Sequence, residues 1–256
     1  MQIKVINNVF LRTHTINKAR GDIWFIHGYG ESGFSFREAF SSKLAQKYNL
    51  FVLDFPGFGS SPLQPDTASL ENSADLLVSL IEEVSKKRSI YLVAHSLGGI
   101  VGTWVCQKLS ERIKGFVNIE GNLTRSDAFF SSLCEKYKTS NQFYDALCNK
   151  ILKMMGNNES LQRYYSSLRQ AHPDALMAWG KSALKYSHEL KSGTQYCELS
   201  CKTVYFWGDK RTSPETLQWI EKNSLPNKLF SGSDHWPMID QTDECYNSIL
   251  AFFDSI

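Results

Sequence analysis

No stretch of this 256-residue chain approaches the about 18 continuous apolar residues of a membrane-crossing helix, so no stable membrane insertion is expected. The N-terminus, Met-Gln-Ile-Lys-Val-Ile-Asn-Asn, lacks the basic start and apolar run of an export signal, and the expected location is cytoplasmic. Neither sign of charge is in excess: 28 Lys and Arg against 26 Asp and Glu leave a formal net charge of +2. That balance argues against nucleic acid or an anionic membrane as partner. Repeats and low-complexity tracts are missing. The six cysteines, at 106, 134, 148, 197, 201 and 245, are scattered, and reduced thiols are expected. Cys197-x-x-x-Cys201 has no second cysteine or histidine pair in zinc spacing, so no metal site is expected. The glycine-rich loops around residues 28 and 57 are read as lacking both the Gly-x-Gly-x-x-Gly spacing of a dinucleotide loop and the Lys-Ser/Thr end of a phosphate-binding loop. A nucleotide is rejected on that ground, and no cofactor is implied. The partner left is a small-molecule substrate; the oligomeric state is open.

What is present describes an ordinary globular protein, with 42% hydrophobic and 21% charged residues. The length fits one domain, or one domain carrying an insertion. Val5–Ile16 has strand character and suits the antiparallel edge of a sheet. Asp22–His27 and Asn49–Phe55 read as buried strands. Between them Ser35–Tyr48 reads as a helix, with Phe36, Phe40, Leu44 and Tyr48 on one face. Pro56–Asp66 is a turn-rich loop. Ser69–Arg88 is the clearest helix, striped by Leu70, Leu77, Ile81 and Val84. A further strand, helix and strand lead to Ile119, and this β–α alternation argues for a parallel sheet covered on both faces. Residues 121–200 then break the rhythm: they lean helical and are rich in aromatics and methionine. They are expected to form a helical lid inserted between the sixth and seventh strands, with 1–120 and 201–256 as the core. Of its aromatics and methionines, Phe129, Phe130, Phe143, Tyr144, Met154, Met155, Tyr164, Tyr165, Met177 and Trp179, most are expected to form the insertion's own core and some to face the site, with Trp179 and Met155 as the substitutions that test a pocket role. Lys202–Trp207, Pro214–Lys222, Asn227–Phe230 and Glu244–Phe253 resume as strand, helix, strand and helix.

The chemistry centres on Tyr91–Gly99. Tyr91 to Ala94 read as a buried strand, Ser96 as a tight turn and Gly98-Gly99-Ile100-Val101 as a helix start. An ordinary turn with a capping serine accounts for the same letters. Ala94-His95-Ser96-Leu97-Gly98 nevertheless resembles the nucleophile elbow of the α/β-hydrolase superfamily, Gly-x-Ser-x-Gly, with Ala94 as a departure. Other stretches extend the resemblance over almost the whole chain. His27-Gly28-Tyr29-Gly30 is similar to the family's oxyanion loop, and Asp54-Phe55-Pro56-Gly57-Phe58-Gly59-Ser60-Ser61 to its Asp-x-Pro-Gly-x-Gly-x-Ser loop. His235 follows the final strand, where the family keeps its catalytic histidine.

The resemblance implies an α/β-hydrolase fold and a set of roles. Ser96 would be the nucleophile, His235 its base, and the main-chain N–H groups of Tyr29 and Leu97 the oxyanion donors. His27 and Asp54 would be structural, and His95 would point its side chain away from the site. The acid has two candidates. Asp209 follows the glycine ending the penultimate strand, in a loop one residue short of the majority pattern. Glu120 ends the preceding strand and resembles the minority arrangement of some haloalkane dehalogenases and coelenterate luciferases; it is preferred. A serine in place of an aspartate argues against dehalogenase and epoxide-hydrolase chemistry. The expected reaction is carboxylic ester hydrolysis through an acyl-serine. The alternatives are a carbon–carbon bond hydrolase of the same fold and a non-catalytic small-ligand receptor on its scaffold.

Overall fold

A computed structural model of the chain describes residues 1–64, 68–188 and 191–256; the last two residues of the predicted Pro56–Asp66 loop, and residues 189–190 of the helical insertion, lie outside them. Eight strands form one sheet in the order β1-β2-β4-β3-β5-β6-β7-β8. They are β1 (Gln2–Ile6), β2 (Val9–His14), β3 (Asp22–Ile26), β4 (Asn49–Leu53), β5 (Ile90–His95), β6 (Ile113–Ile119), β7 (Lys202–Gly208) and β8 (Asn227–Phe230). β2 runs antiparallel to both its neighbours, and all pairings from β4 to β8 are parallel. β3, β4 and β5 are buried at every residue, as continuous apolar strings require when both faces are covered. This is the α/β-hydrolase fold.

Two local expectations are corrected. Val5–Ile16 is not one strand: Asn7 and Asn8, at φ 52° and 61°, turn the chain into a hairpin that pairs Ile6 with Val9. Asparagine tolerates the left-handed region that such a two-residue turn demands. Ser35–Tyr48 is not one α-helix but two 3₁₀ segments, Gly33–Ser41 and Lys43–Gln46. Ser42 breaks them apart, its hydroxyl donating to the Ala39 carbonyl and accepting from the Leu44 amide. Such side-chain bonds compete with helix continuation. The apolar face survives the break, with Phe36, Leu44 and Tyr48 all buried.

The clear helix spans Leu70–Ser85 (α1), capped by Ser69 on the Asn72 amide, and stops where Lys86 takes φ 44°. The elbow sequence leads into Gly98–Lys108 (α2). Between β6 and β7 the described residues form helices and turns only, including Ser140–Met155 (α3), Glu159–Leu168 (α4), Pro173–His188 (α5) and Lys191–Cys197 (α6). Pro214–Lys222 (α7), Pro237–Asp240 (α8) and Thr242–Asp254 (α9) complete the chain. No helix among the described residues is long and apolar enough to cross a membrane.

Trp179, on α5, joins the inserted helices to the core rather than lining a pocket. It is fully buried, stacks on His27 at 5.7 Å, and packs against Phe55 and Phe58 at 5.3 and 4.8 Å. Its indole N–H donates to the Ser73 hydroxyl of α1 at 3.2 Å. Trp179→Ala should therefore cost about 3–5 kcal/mol of unfolding free energy, read from denaturant titration, because the emptied volume cannot refill. A loss under about 1 kcal/mol would show that the site collapses without penalty.

Candidate active site

β5 ends at His95, and the chain turns at Ser96 with φ 52°, the left-handed region that a non-glycine residue rarely adopts. The turn is held by the Ser96 amide, which donates to the Ile119 carbonyl of β6 at 2.9 Å. Close approach explains the glycines around it. A Cβ on Gly98 would lie 2.5 Å from the His27 carbonyl oxygen, and one on Gly28 would lie 2.9 Å from Cβ of Ser96. The strand-to-helix turn and the loop after β3 thus touch backbone to backbone.

That second loop begins at His27, which is buried and structural. Its Nε2 accepts from the Phe55 amide at 3.0 Å, so the other ring nitrogen carries the hydrogen and donates to the Gly28 carbonyl at 2.9 Å. Burial pushes its pKa down. Asp54 is structural too, accepting from Arg12, the Gly33 amide and the Ser60 amide. The sequence reading denies both glycine-rich loops the Gly-x-Gly-x-x-Gly spacing of a dinucleotide loop, but Gly28, Gly30 and Gly33 carry it. The amides that would cradle a phosphate are taken: Glu31 accepts from Gly28 and Asp54 from Gly33. Among the described residues no acceptor within the chain takes the N–H of Tyr29 or of Leu97.

His235 sits after β8, half-buried, with Nδ1 3.3 Å from Glu120 Oε2. Glu120 ends β6 at φ 49° and is buried. Its Oε1 accepts from the Gly208 amide at 2.6 Å and the Thr212 hydroxyl at 2.5 Å, which leaves Oε2 for the imidazole. Burial pushes the His235 pKa down, but the hydrogen bond and charge of Glu120, with the charges of Glu31 and Asp234, outweigh it and raise the value above 6.5. Asp209 does not join this group. It is exposed, and its carboxylate accepts from the Ser231 hydroxyl at 2.9 Å and the Gly232 amide at 2.8 Å, bracing the turn after β8.

Ser96, Leu97, Tyr29, Glu120 and His235 line one cavity of ≈ 330 Å³, with no direct Ser96–His235 hydrogen bond among the described residues. Its apolar wall comes from Phe129, Phe130, Leu161, Tyr164 and Trp236. Of the insertion's aromatics and methionines, Phe129, Phe130 and Tyr164 line the cavity, with Leu161 beside them, whereas Trp179 and Met155 are not among the described lining residues. His95 is not among the described lining residues, in keeping with a side chain directed away from the cavity, yet it stays close to the site. Its ring lies 4.8 Å from that of His235, and its partner Glu31 lines the cavity.

A profile of the α/β-hydrolase fold matches residues 23–242, most of the chain. This chain belongs to the α/β-hydrolase fold family. A pimeloyl-[acyl-carrier protein] methyl ester esterase of Legionella pneumophila (strain Corby) is 27% identical over 213 residues, 78% of this chain and 82% of that protein. A Mycoplasma pneumoniae relative is 30% identical over 102 residues, and the match spans only 38% of its length. Among solved structures, a thermophilic esterase from Thermogutta terrifontis superposes with a TM-score of 0.76 at 17% identity, covering 96% of this chain and 94% of that one. Esterase EaEST from Exiguobacterium antarcticum gives 0.76 at 12% identity, over 95% and 94%.

Proposed function

We propose that this α/β-hydrolase cleaves a carboxylic ester of a small or medium substrate through an acyl-serine intermediate. The observation that carries the reading is the Ser96 turn at φ 52° opening into the same cavity as the His235–Glu120 pair. Ser96 attacks the ester carbonyl while His235 takes its proton and returns it to the leaving alcohol. Glu120 holds the imidazole with Nδ1–H towards itself, so that Nε2 is free to accept. The amides of Tyr29 and Leu97 stabilise the oxyanion, worth about 3–4 kcal/mol per donor in the transition state. Water then repeats the sequence on the acyl-enzyme.

The cavity volume and its wall of Phe129, Phe130, Leu161 and Tyr164 support a modest apolar group beside the scissile bond. Those residues belong to 121–200, which acts as a lid over the core and sets substrate choice. The ester named for the Legionella relative supports the same bond type.

A fluorophosphonate probe with a panel of p-nitrophenyl esters of increasing chain length tests the reading. Stoichiometric labelling that blocks ester turnover is expected; a folded protein that neither labels nor hydrolyses any member is a receptor instead. The pH profile is a separate check. His235 must be neutral to accept a proton, and its pKa lies above 6.5, so kcat/KM should fall as pH drops through that raised value. Removing the Glu120 charge removes the main upward influences, and the acid limb of Glu120→Gln should move to lower pH. An unmoved limb would assign the titration to another group.

A further inference from the structure

His95 is fully buried, and both its ring nitrogens face oxygen. Nδ1 lies 2.9 Å from Glu31 Oε1, and Nε2 lies 2.8 Å from the main-chain carbonyl of His235. The second partner is decisive, because a carbonyl oxygen only accepts, so Nε2 carries hydrogen. Glu31 is equally committed. Its Oε1 also accepts from the Trp236 indole N–H at 2.6 Å, and its Oε2 from the Gly28 amide at 2.8 Å. Burial pushes the Glu31 carboxyl up, yet the His95 charge and these hydrogen bonds hold it down at about 2. One carboxylate and one imidazole therefore tie three loops together: the one after β3, the turn at Ser96, and the His235–Trp236 segment.

Burying such a pair is a poor way to gain stability. The desolvation of a carboxylate and a polar ring offsets most of their attraction, and apolar side chains of equal volume would serve as well. What apolar side chains would not provide is a directional hold on the His235 backbone. We infer that His95 is a positioning residue: its Nε2–H bond to the His235 carbonyl sets where the base stands relative to Ser96. Glu31 orients the His95 ring, and Trp236 closes the clamp from the base's own loop. The inference rests on the proposed serine mechanism, and it adds a second acid–imidazole pair whose imidazole is not among the described residues lining the cavity.

The geometry supplies its own test. An asparagine amide stands where Nδ1 does, and a glutamine amide where Nε2 does. His95→Asn keeps a donor for Glu31 and loses the one for His235; His95→Gln does the reverse. Displacement of a reacting group by about 1 Å costs on the order of 100-fold, so His95→Asn should lose about that much kcat with KM nearly unchanged. His95→Gln should recover about tenfold of the loss, as a partial restoration of placement. Melting temperatures of the two variants should be similar, since each forfeits one buried hydrogen bond. If His95→Asn does not fold, His95→Phe takes its place, filling the ring's volume without a donor while Glu31 keeps its bonds from Trp236 and Gly28. Near-parental kcat in the variant without the His235 donor, or equal loss in His95→Gln, overturns the positioning role. So does a loss confined to KM. Ser96→Ala is assayed alongside. Turnover that survives it removes the serine mechanism and this inference together, whereas a dead Ser96→Ala beside a normal His95→Asn removes the inference alone.

Discussion

Ser96→Ala lowers kcat by about six orders of magnitude, the loss expected when a nucleophile that works as a unit with its base is deleted. The residual rate is that of oxyanion binding and substrate placement alone. Fold and stability should barely change. The strained φ of 52° belongs to the backbone and is borne alike by serine and alanine, and the amide bond to Ile119 that fixes the turn is independent of the side chain. Ser96 is half-buried at the cavity floor, so the lost hydroxyl leaves no sealed void. The measurement is burst and steady-state hydrolysis of one p-nitrophenyl ester, with the melting temperature recorded on the same preparation. A folded variant that still turns over at the parental rate would end the serine mechanism.

Much of the architecture is written in local pattern. β3, β4 and β5 are short apolar runs between turn residues, and a strand buried on both faces has little other way to be encoded. The Ser96 turn is legible because its constraints fall on neighbours: Gly98 has to be small, or its Cβ meets the His27 carbonyl oxygen. His235 and Glu120 are readable as strand-end residues. Their approach to 3.3 Å is a fact of the sheet order, which places β6 beside β7 and β7 beside β8.

The unread part is non-local or subtle. Glu31, His95 and Trp236 meet across separations of 64 and 205 residues, and no spacing rule connects them. His95 lies next to Ser96 in sequence, and strand alternation turns it to the other face. What the sequence does not show is that Glu31 and the His235 loop close over that face. The aromatic content of 121–200 signals burial but not which rings face a cavity: Trp179 packs on His27, Phe55 and Phe58, while Phe129 and Phe130 reach the site. The Gly28-x-Gly30-x-x-Gly33 spacing shows the opposite hazard, a motif whose amides Glu31 and Asp54 already occupy.

Glu120→Gln and Asp209→Asn, compared on one substrate, should differ by about four orders of magnitude in kcat, since replacing the triad acid by its amide leaves the imidazole in the wrong tautomer. With a carboxylate at 120, Oε1 is saturated by the Gly208 amide and the Thr212 hydroxyl, so Oε2 is the atom that faces His235 Nδ1. Both bonds at Oε1 are donated to the side chain, and a glutamine there has to keep its oxygen on Gly208 and Thr212. Its NH₂ then points at His235 Nδ1 as a donor, which forces the proton onto Nε2, the atom that should accept from Ser96. The substitution therefore inverts the base rather than merely weakening it. Asp209 has different work. It accepts from Ser231 and Gly232 at the surface, so Asp209→Asn should leave kcat within a few-fold and the melting temperature little changed. A crippled Asp209→Asn beside a near-normal Glu120→Gln would move the acid to the end of β7 and require His235 to turn from the orientation it holds.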